Sequence, residues 1–200
     1  MKIVKNLILI SAPSGSGKTT LCKALQKEFP QLNWSISYTT RKIRKMEKNG
    51  VDYQFISKLE FKNLINQSFF AEWEKVHGFY YGTSKEAIDR IIHNNEMLLI
   101  EMDVKGALSI KKLYPNKTFS IFISPPSIEH LRKRLQKRGT DSNYRINIRL
   151  HRFKEEMKYV SRFDLNLLND SLPVAKKKLV ETILTIKKGE NDGIKNNTIS

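Results

Sequence analysis

Apolar residues follow two alternating patterns along the chain. Short runs of bulky apolar residues predict strands that are buried on both faces. Between these runs, apolar residues recur every three or four positions, which predicts amphipathic helices. The predicted core strands lie at residues 7–10, 34–37, 97–100, 118–123 and 165–168. Alternation of strands and helices indicates an α/β fold, in which a parallel five-stranded sheet carries helices on both faces.

The segment from residue 36 to residue 84 interrupts this alternation. Its apolar residues predict three further strands, at 53–56, 69–76 and 79–81, of which the last two form a hairpin. Capping-box patterns that begin at Ser57 and at Thr83 predict the first turns of two helices. We therefore predict a small α+β insertion at 36–84 between two pieces of the core.

The connection between the first strand and the first helix has the pattern of a phosphate-binding loop. Residues 11–20 read Ser-Ala-Pro-Ser-Gly-Ser-Gly-Lys-Thr-Thr, and we call residues 11–17 the phosphate loop. Small residues let the backbone curl so that its N–H groups and the helix N-terminus face phosphate oxygens. The loop predicts binding of a nucleoside triphosphate, with Lys18 at the outer phosphates and the Thr19 hydroxyl on Mg²⁺. Ala12 replaces the first glycine of the usual pattern, which matters only if that position needs a positive φ.

Composition limits the class of protein. Two hundred residues, 40% of them hydrophobic, suit one globular domain or a core with small insertions. The formal net charge of +16 calls for an anionic partner, and nucleotides satisfy this requirement as well as nucleic acid does. No zinc-finger pattern or RNA-binding motif accompanies the charge. Charge alone therefore does not decide the partner, and no nucleic acid is expected.

The single cysteine, Cys22, excludes an internal disulfide and reads as a small core residue of the first helix. The chain shows no apolar run long enough to cross a membrane and opens without a targeting pattern. We expect a cytoplasmic protein with no membrane partner, and the sequence leaves a homo-oligomer open.

Several further motifs follow one another in a fixed order. They are Ser-Ile-Ser-Tyr-Thr-Thr-Arg at 35–41, Arg44, Glu47, Gly50, Asp52-Tyr53 and Phe55, Glu72-Trp73, Gly78-x-Tyr80-Tyr81-Gly82-Thr83, Asp103-x-x-Gly106, and Arg134-x-x-x-Arg138 followed by Gly-Thr-Asp-Ser. Together, from about residue 5 to residue 186, they resemble the signature of guanylate kinases, which are P-loop nucleoside monophosphate kinases. The resemblance implies reversible, Mg²⁺-dependent, in-line transfer of phosphate from ATP to GMP, and to dGMP, in purine nucleotide metabolism.

The resemblance also implies a division of the chain. It gives a P-loop NTPase-type core at 1–35, 85–133 and 150–187, a GMP-binding domain at 36–84, a mobile lid at 134–149 and a flexible tail at 188–200. No further cofactor is implied beyond Mg²⁺ with ATP.

By the same resemblance, eight residues bind GMP: Ser37, Arg41, Arg44, Tyr53, Glu72, Tyr81, Thr83 and Asp103. Guanine presents two neighbouring donors, N1–H and N2–H, which carboxylates accept and which adenine lacks. Glu72 and Asp103 would thus select guanine, with the Ser37 and Thr83 hydroxyls near the base. The arginines and tyrosines would hold the GMP phosphate.

The ATP site is implied in the phosphate loop, the first turn of the following helix and the lid. Its residues would be Ala12, Pro13, Ser14, Gly15, Ser16, Gly17, Lys18, Thr19, Thr20, Arg134 and Arg138. Catalytic roles fall to Lys18, Arg41, Arg134, Arg138 and Arg149, which would neutralise charge on the transferred group. Glu101 stands where the family usually has aspartate and is a candidate to hold Mg²⁺ together with Thr19.

Two other classes of protein stay open. Guanylate-kinase-like domains act as protein-interaction modules when the phosphate loop has decayed, but Gly17, Lys18 and Thr19 are intact here. A nucleic-acid-binding protein would rest on the charge alone. Among enzymes, the nearest competitor phosphorylates another nucleotide or a phosphorylated sugar.

Overall fold

A computed structural model of the chain describes residues 5–76, 78–139 and 142–189. Within those ranges the strands are β1 Leu7–Ser11, β2 Asn33–Trp34, β3 Tyr38–Thr39, β4 Gln54–Phe55, β5 Phe70–Val76, β6 Phe79–Ser84, β7 Leu98–Glu101, β8 Thr118–Ser124 and β9 Leu165–Leu168. The helices are α1 Lys18–Glu28, α2 Lys58–Asn66, α3 Lys85–His93, α4 Val104–Leu113, α5 Ile128–Arg138, α6 Asn143–Met157 and α7 Leu172–Lys188, with a short 3₁₀ helix at Val160–Arg162.

The core is a parallel sheet of five strands in the order β2-β7-β1-β8-β9. Successive side chains of β1 point to opposite faces. Ile8 and Ile10 pack with α1 and α7, whereas Leu7 and Leu9 pack with α3 and α4. Since helices cover both faces, β1 is an uninterrupted apolar run. The predicted α/β fold with a five-stranded parallel sheet is confirmed.

A second, mixed sheet has the order β4-β3-β6-β5, in which β3 and β4 are parallel and the other pairs antiparallel. Helix α2 covers it through Phe61, which is fully buried and stacks on Phe70 at 4.5 Å and on Tyr80 at 5.3 Å between ring centroids. A Cβ on Gly82 would come within 2.8 Å of the Phe70 ring, so this position accepts only glycine without a shift. The sheet lies inside the predicted insertion, whose boundaries stay predictions.

Two sequence predictions about local structure were wrong. The strand predicted at 34–37 ends at Trp34, because the chain leaves the core sheet there and joins the second sheet at Tyr38. Thr83 does not cap α3. Ser84 does, with its hydroxyl accepting from the Ala87 N–H at 3.3 Å. Thr83 belongs to β6, and its hydroxyl donates a hydrogen bond to Glu72 of β5.

Helices α5 and α6 form the segment that contains the predicted lid. They pack on each other through a small apolar cluster that includes Leu131, Leu135, Ile146 and Leu150. Helix α5 ends at Arg138 with Gly139 in the left-handed region, and the Ser142 hydroxyl caps α6. Thr140 and Asp141, the Arg138 side chain and the tail from residue 190 lie outside the described residues. Mobility of the lid stays a prediction.

The remaining broad expectations concern the cysteine and the membrane. Cys22 is buried in the core between the sheet, α1 and α7, as predicted. Across the part of the chain that the structure describes, no helix is both long enough and apolar enough to span a bilayer.

We expect Phe61→Ala to lower the free energy of unfolding by about 3–5 kcal/mol, because the substitution leaves a cavity between α2 and the second sheet. Leu59→Ala is the matched control, since Leu59 lies in the same helix with 70% of its surface exposed. Urea denaturation of both variants measures the difference. Equal unfolding midpoints would contradict the packing role assigned to Phe61.

Candidate active site

The phosphate loop joins the carboxyl end of β1 to the N-terminus of α1. Gly15 and Gly17 have φ values of +92° and +90°, which other residues rarely adopt. The Ser16 N–H donates to the Pro13 carbonyl at 3.1 Å and closes the turn. Ser68 and Asn95 are the non-glycine residues with a positive φ in the part of the chain that the structure describes, so Ala12 does not have one. Alanine in place of the usual glycine therefore introduces no backbone strain.

Asn169 holds the phosphate loop in place through a hydrogen bond. This residue was not identified from the sequence. Its buried amide Nδ2 donates to the Ser16 carbonyl at 2.6 Å, and its own N–H donates to the Ser124 carbonyl at 2.8 Å. A Cβ on Gly17 would collide with the Asn169 amide, so Gly17 is needed both for its φ and for this close approach. A polar residue directly after a core strand was the available signal, because strand carboxyl ends border the ligand site.

Lys18, Thr19 and Glu101 meet at the start of α1. The Thr19 hydroxyl donates to Glu101 Oε1 at 2.8 Å. Lys18 Nζ donates to the Met102 carbonyl at 2.8 Å and lies 3.8 Å from Glu101 Oε1. A hydroxyl and a carboxylate are oxygen ligands of the kind Mg²⁺ takes. The described residues contain no group of three or more His, Cys, Asp or Glu able to hold a metal, so further ligands would have to come from substrate and water.

A cavity of about 180 Å³ lies between the carboxyl edge of the core sheet and the second sheet. Eleven residues line it: Lys18, Ser37, Tyr53, Glu72, Glu74, Val76, Tyr81, Gly82, Glu101, Met102 and Asp103. Lys18 belongs to the ATP site predicted from the sequence. Ser37, Tyr53, Glu72, Tyr81 and Asp103 come from the predicted monophosphate site. Residues from both predicted sites thus line one cavity.

Glu72 is a partly buried acid in the wall of this cavity. Its Oε1 accepts a hydrogen bond from the Thr83 hydroxyl at 2.7 Å. Burial raises the pKa of Glu72 to about 7; the Thr83 hydrogen bond opposes that rise, and the neighbouring charges of Asp103 and Glu74 add to it. Gly106 leaves room for the carboxylate, because a Cβ there would come within 2.8 Å of Glu72 Oε2. A carboxyl group with a pKa near 7 is partly protonated at neutral pH.

Asp103 has a second role in the fold, as the N-cap of α4. Its Oδ1 accepts from the Gly106 N–H at 3.0 Å. This capping bond fixes the Asp103 carboxylate at the N-terminus of α4.

Arg41 is held in place by an ion pair that sequence reasoning did not assign. Its guanidinium donates two hydrogen bonds to Glu47, each 2.8 Å long, and lies 5.3 Å from the centre of the Tyr53 ring. Burial acts to raise the pKa of Glu47, but hydrogen bonds from Arg41 and from the Arg44 N–H outweigh it and bring the pKa below its ordinary value. Glu47 appeared in the motif without a role, and the structure makes it the partner that orients Arg41.

Among the described side chains, no predicted arginine is part of the cavity lining, Arg41 included. Arg44 is 68% exposed, with its guanidinium 4.0 Å from Glu47. Arg134 donates to the Asn169 carbonyl at 2.9 Å, beneath the phosphate loop. Arg149 reaches from α6 to the Ser14 hydroxyl of the phosphate loop at 2.9 Å. Two of the three predicted lid arginines thus contact the loop or its support, and the Arg138 side chain is outside the described residues.

Comparisons with known proteins agree on one family. A family model described as guanylate kinase matches residues 4–186. The guanylate kinase of Desulfitobacterium hafniense strain Y51 is 40% identical over 181 residues, which is 90% of each chain. That of Clostridium acetobutylicum is 42% identical over 194 residues, 96% of this chain and 91% of the relative. The crystal structure of guanylate kinase from Anaplasma phagocytophilum matches with a TM-score of 0.77 at 25% identity, over 97% of this chain and 90% of that one.

We expect Glu72→Gln to be more stable than the wild type at pH 8, by an amount on the order of 1–3 kcal/mol. The pKa of Glu72 is about 7 in the folded state and has the ordinary value of 4.5 in the unfolded chain. Between pH 4.5 and pH 7, the folded state therefore keeps a proton that the unfolded chain has lost. The contribution of Glu72 to stability therefore falls as pH rises through this window, and the glutamine avoids that loss while keeping the Thr83 hydrogen bond.

Urea unfolding at pH 5 and pH 8 tests this expectation. The two proteins should have similar stability at pH 5 and separate at pH 8. Glu86→Gln is the control, since Glu86 is exposed in the first turn of α3. A wild type at least as stable as Glu72→Gln at pH 8 would show that burial does not penalise this carboxylate.

Proposed function

The chain belongs to the guanylate kinase family, and from that premise we propose that it transfers the γ-phosphoryl group of ATP to GMP, giving ADP and GDP. One observation carries the proposal. Lys18, which directly follows the phosphate loop, and the carboxylate of Glu72 line the same cavity, so a triphosphate and a guanine nucleotide can lie end to end. Transfer between two bound nucleotides requires this adjacency.

Guanine recognition follows from the acidic wall of the cavity. Glu72 and Asp103 offer acceptor-only oxygens to the N1–H and N2–H donors of guanine. The Thr83 hydroxyl already donates to Glu72 Oε1 and so orients the carboxylate. Adenine has no matching donor pair and would leave a buried carboxylate unpaired, which disfavours AMP. Binding guanine favours ionised Glu72, so GMP lowers the pKa of this group.

The GMP phosphate would lie against Arg41, Tyr53 and Tyr81. The guanidinium of Arg41 supplies charge-assisted donors once the phosphate competes with Glu47. Burial raises the pKa of Tyr53, so its phenol stays protonated and can donate. Tyr53 and Tyr81 are neighbours, with ring centroids 6.1 Å apart. Exposed Arg44 lies close enough along the chain to join them after a movement of its loop.

The chemistry proceeds in line. A phosphate oxygen of GMP attacks the γ-phosphorus of ATP, the bond from that phosphorus to the β,γ-bridging oxygen breaks, and ADP leaves with the electron pair. Lys18 turns from the Met102 carbonyl to the phosphates and neutralises charge as it develops. Thr19 and Glu101 would hold Mg²⁺, which would supply further neutralisation of the phosphate charge.

Closure of the lid completes the site. Arg149 is already bonded to Ser14, and Arg134 is bonded to carbonyl oxygens at the loop's support. Phosphate oxygens bind guanidinium more strongly than the carbonyl acceptors of Arg134 do, so bound ATP can replace them. Recruiting arginines only after both substrates bind limits hydrolysis of ATP by water.

dGMP belongs to the same proposal, because both carboxylates, Glu72 and Asp103, read the base and the sugar does not enter the selection of guanine.

The interaction-module alternative is disfavoured by the intact phosphate loop and by the cavity beside it. Nucleic-acid binding is supported by the overall charge alone.

ADP release with Mg²⁺-ATP against GMP, dGMP, AMP, CMP and UMP tests the function. We expect turnover on the guanine nucleotides, and a loss of at least about 100-fold in Lys18→Ala, because that lysine acts on the transferring group. Lys23→Ala is the matched control, since Lys23 is exposed on the same helix. Turnover on a different monophosphate would overturn the guanine assignment. Turnover that survives in Lys18→Ala would overturn the role of the loop.

A further inference from the structure

Glu74 is an acid in the cavity wall that the proposed reaction does not use. It lies two residues after Glu72 in β5, on the same face, and lines the cavity. Its side chain is half-buried, and its carboxylate makes no hydrogen bond and no ion pair with the residues that the structure describes. Lys18 shares the cavity but stands closer to Glu101.

This placement is unfavourable in the absence of a ligand. The Glu74 charge acts on Glu72 and adds to the rise in the pKa of that buried group. Two carboxylates on one face of a strand, without a cation between them, destabilise each other. Local features that oppose stability in this way are expected where a ligand supplies the missing donors.

The strand register shows which part of a nucleotide would face Glu74. Glu72 stands opposite Thr83 in the β5–β6 pair, and Glu74 stands opposite Tyr81. Thr83 belongs to the base end of the proposed site, whereas Tyr81 belongs to the phosphate end. Same-face neighbours on a strand are about 7 Å apart. In a nucleoside 5′-phosphate, the group between base and phosphate is the ribose, whose hydroxyls are hydrogen-bond donors.

We propose that Glu74 accepts a hydrogen bond from a ribose hydroxyl of the bound monophosphate and is a specificity-determining residue for the sugar. This inference rests on the proposed function, because it needs GMP in the cavity. The 2′- and 3′-hydroxyls share the same chemistry, and analogues that lack one or the other separate them. The base is read elsewhere, so Glu74 has no part in selecting guanine.

Lys75 provides a matched control. It is the next residue of β5, is exposed, and points to the opposite face, where its ammonium lies 5.9 Å from the Tyr80 ring. Glu74→Ala removes the acceptor, and Glu74→Gln keeps the size of the side chain while removing its charge. Both variants leave the phosphate loop and the Glu72 side chain in place, and both remove one of the charges that raise the pKa of Glu72.

The experiment measures kcat/KM with saturating Mg²⁺-ATP for GMP, 2′-deoxy-GMP, 3′-deoxy-GMP and IMP. We expect the wild type to favour GMP over one of the two deoxy analogues by about tenfold, the size of a charge-assisted hydrogen bond. Glu74→Ala should bring that ratio to near one, with Glu74→Gln between the two. Lys75→Gln should keep the wild-type ratio, and the preference for GMP over IMP, which lacks the 2-amino group, should be unchanged in all variants.

Three outcomes would overturn the inference: a wild type that uses both deoxy analogues as well as GMP, a ratio that the Glu74 substitutions leave unchanged, or a change confined to IMP. The last result would place Glu74 at the base. Failure of the wild type to phosphorylate GMP at all would instead overturn the proposed function, so the two failures are distinguishable.

Discussion

The desolvated carboxylate of Glu72 is the constraint on which the site depends. The second sheet and the core close around it, and among the described residues its hydrogen-bond donor is the hydroxyl of Thr83. The β5–β6 pairing shifts register between Phe70 and Glu72, next to this side chain. Gly106 is small enough to let it approach α4. The fold thus leaves this acid with a single hydrogen-bond donor among the described residues, and the proposed function assigns the missing donors to guanine.

A second constraint fixes the other half of the site. Asn169, at the end of β9, bonds to the phosphate loop, while Gly17 provides the φ and the space for that bond. The loop therefore has a fixed position relative to the core sheet, and Lys18 is placed by its carboxyl edge. Arg41 is fixed from the opposite side by Glu47. Lys18 and Arg41 are thus held by the elements around them, whereas the Arg44 side chain is exposed.

Much of this could be predicted from the sequence, for physical reasons that differ by residue. The core strands were predictable because both faces of β1 are covered, which leaves an unbroken apolar run. The phosphate loop was predictable because its backbone geometry demands Gly15 and Gly17. The crossing between sheets after Trp34 was not, since a change of partner strand leaves no mark on apolar spacing. The support from Asn169 and the exposed position of Arg44 depend on long-range packing, which local patterns do not encode.

Calorimetry of GMP binding at pH 7, in buffers of different ionisation enthalpy, tests the central claim that the Glu72 carboxylate accepts the donors of guanine. Since the pKa of the free site is about 7, binding should release roughly half a proton from Glu72. The Glu72→Gln variant supplies the baseline for protons exchanged by the phosphate and the buffer, and its proton release should be lower by that amount. Equal proton release by the two proteins would contradict the account.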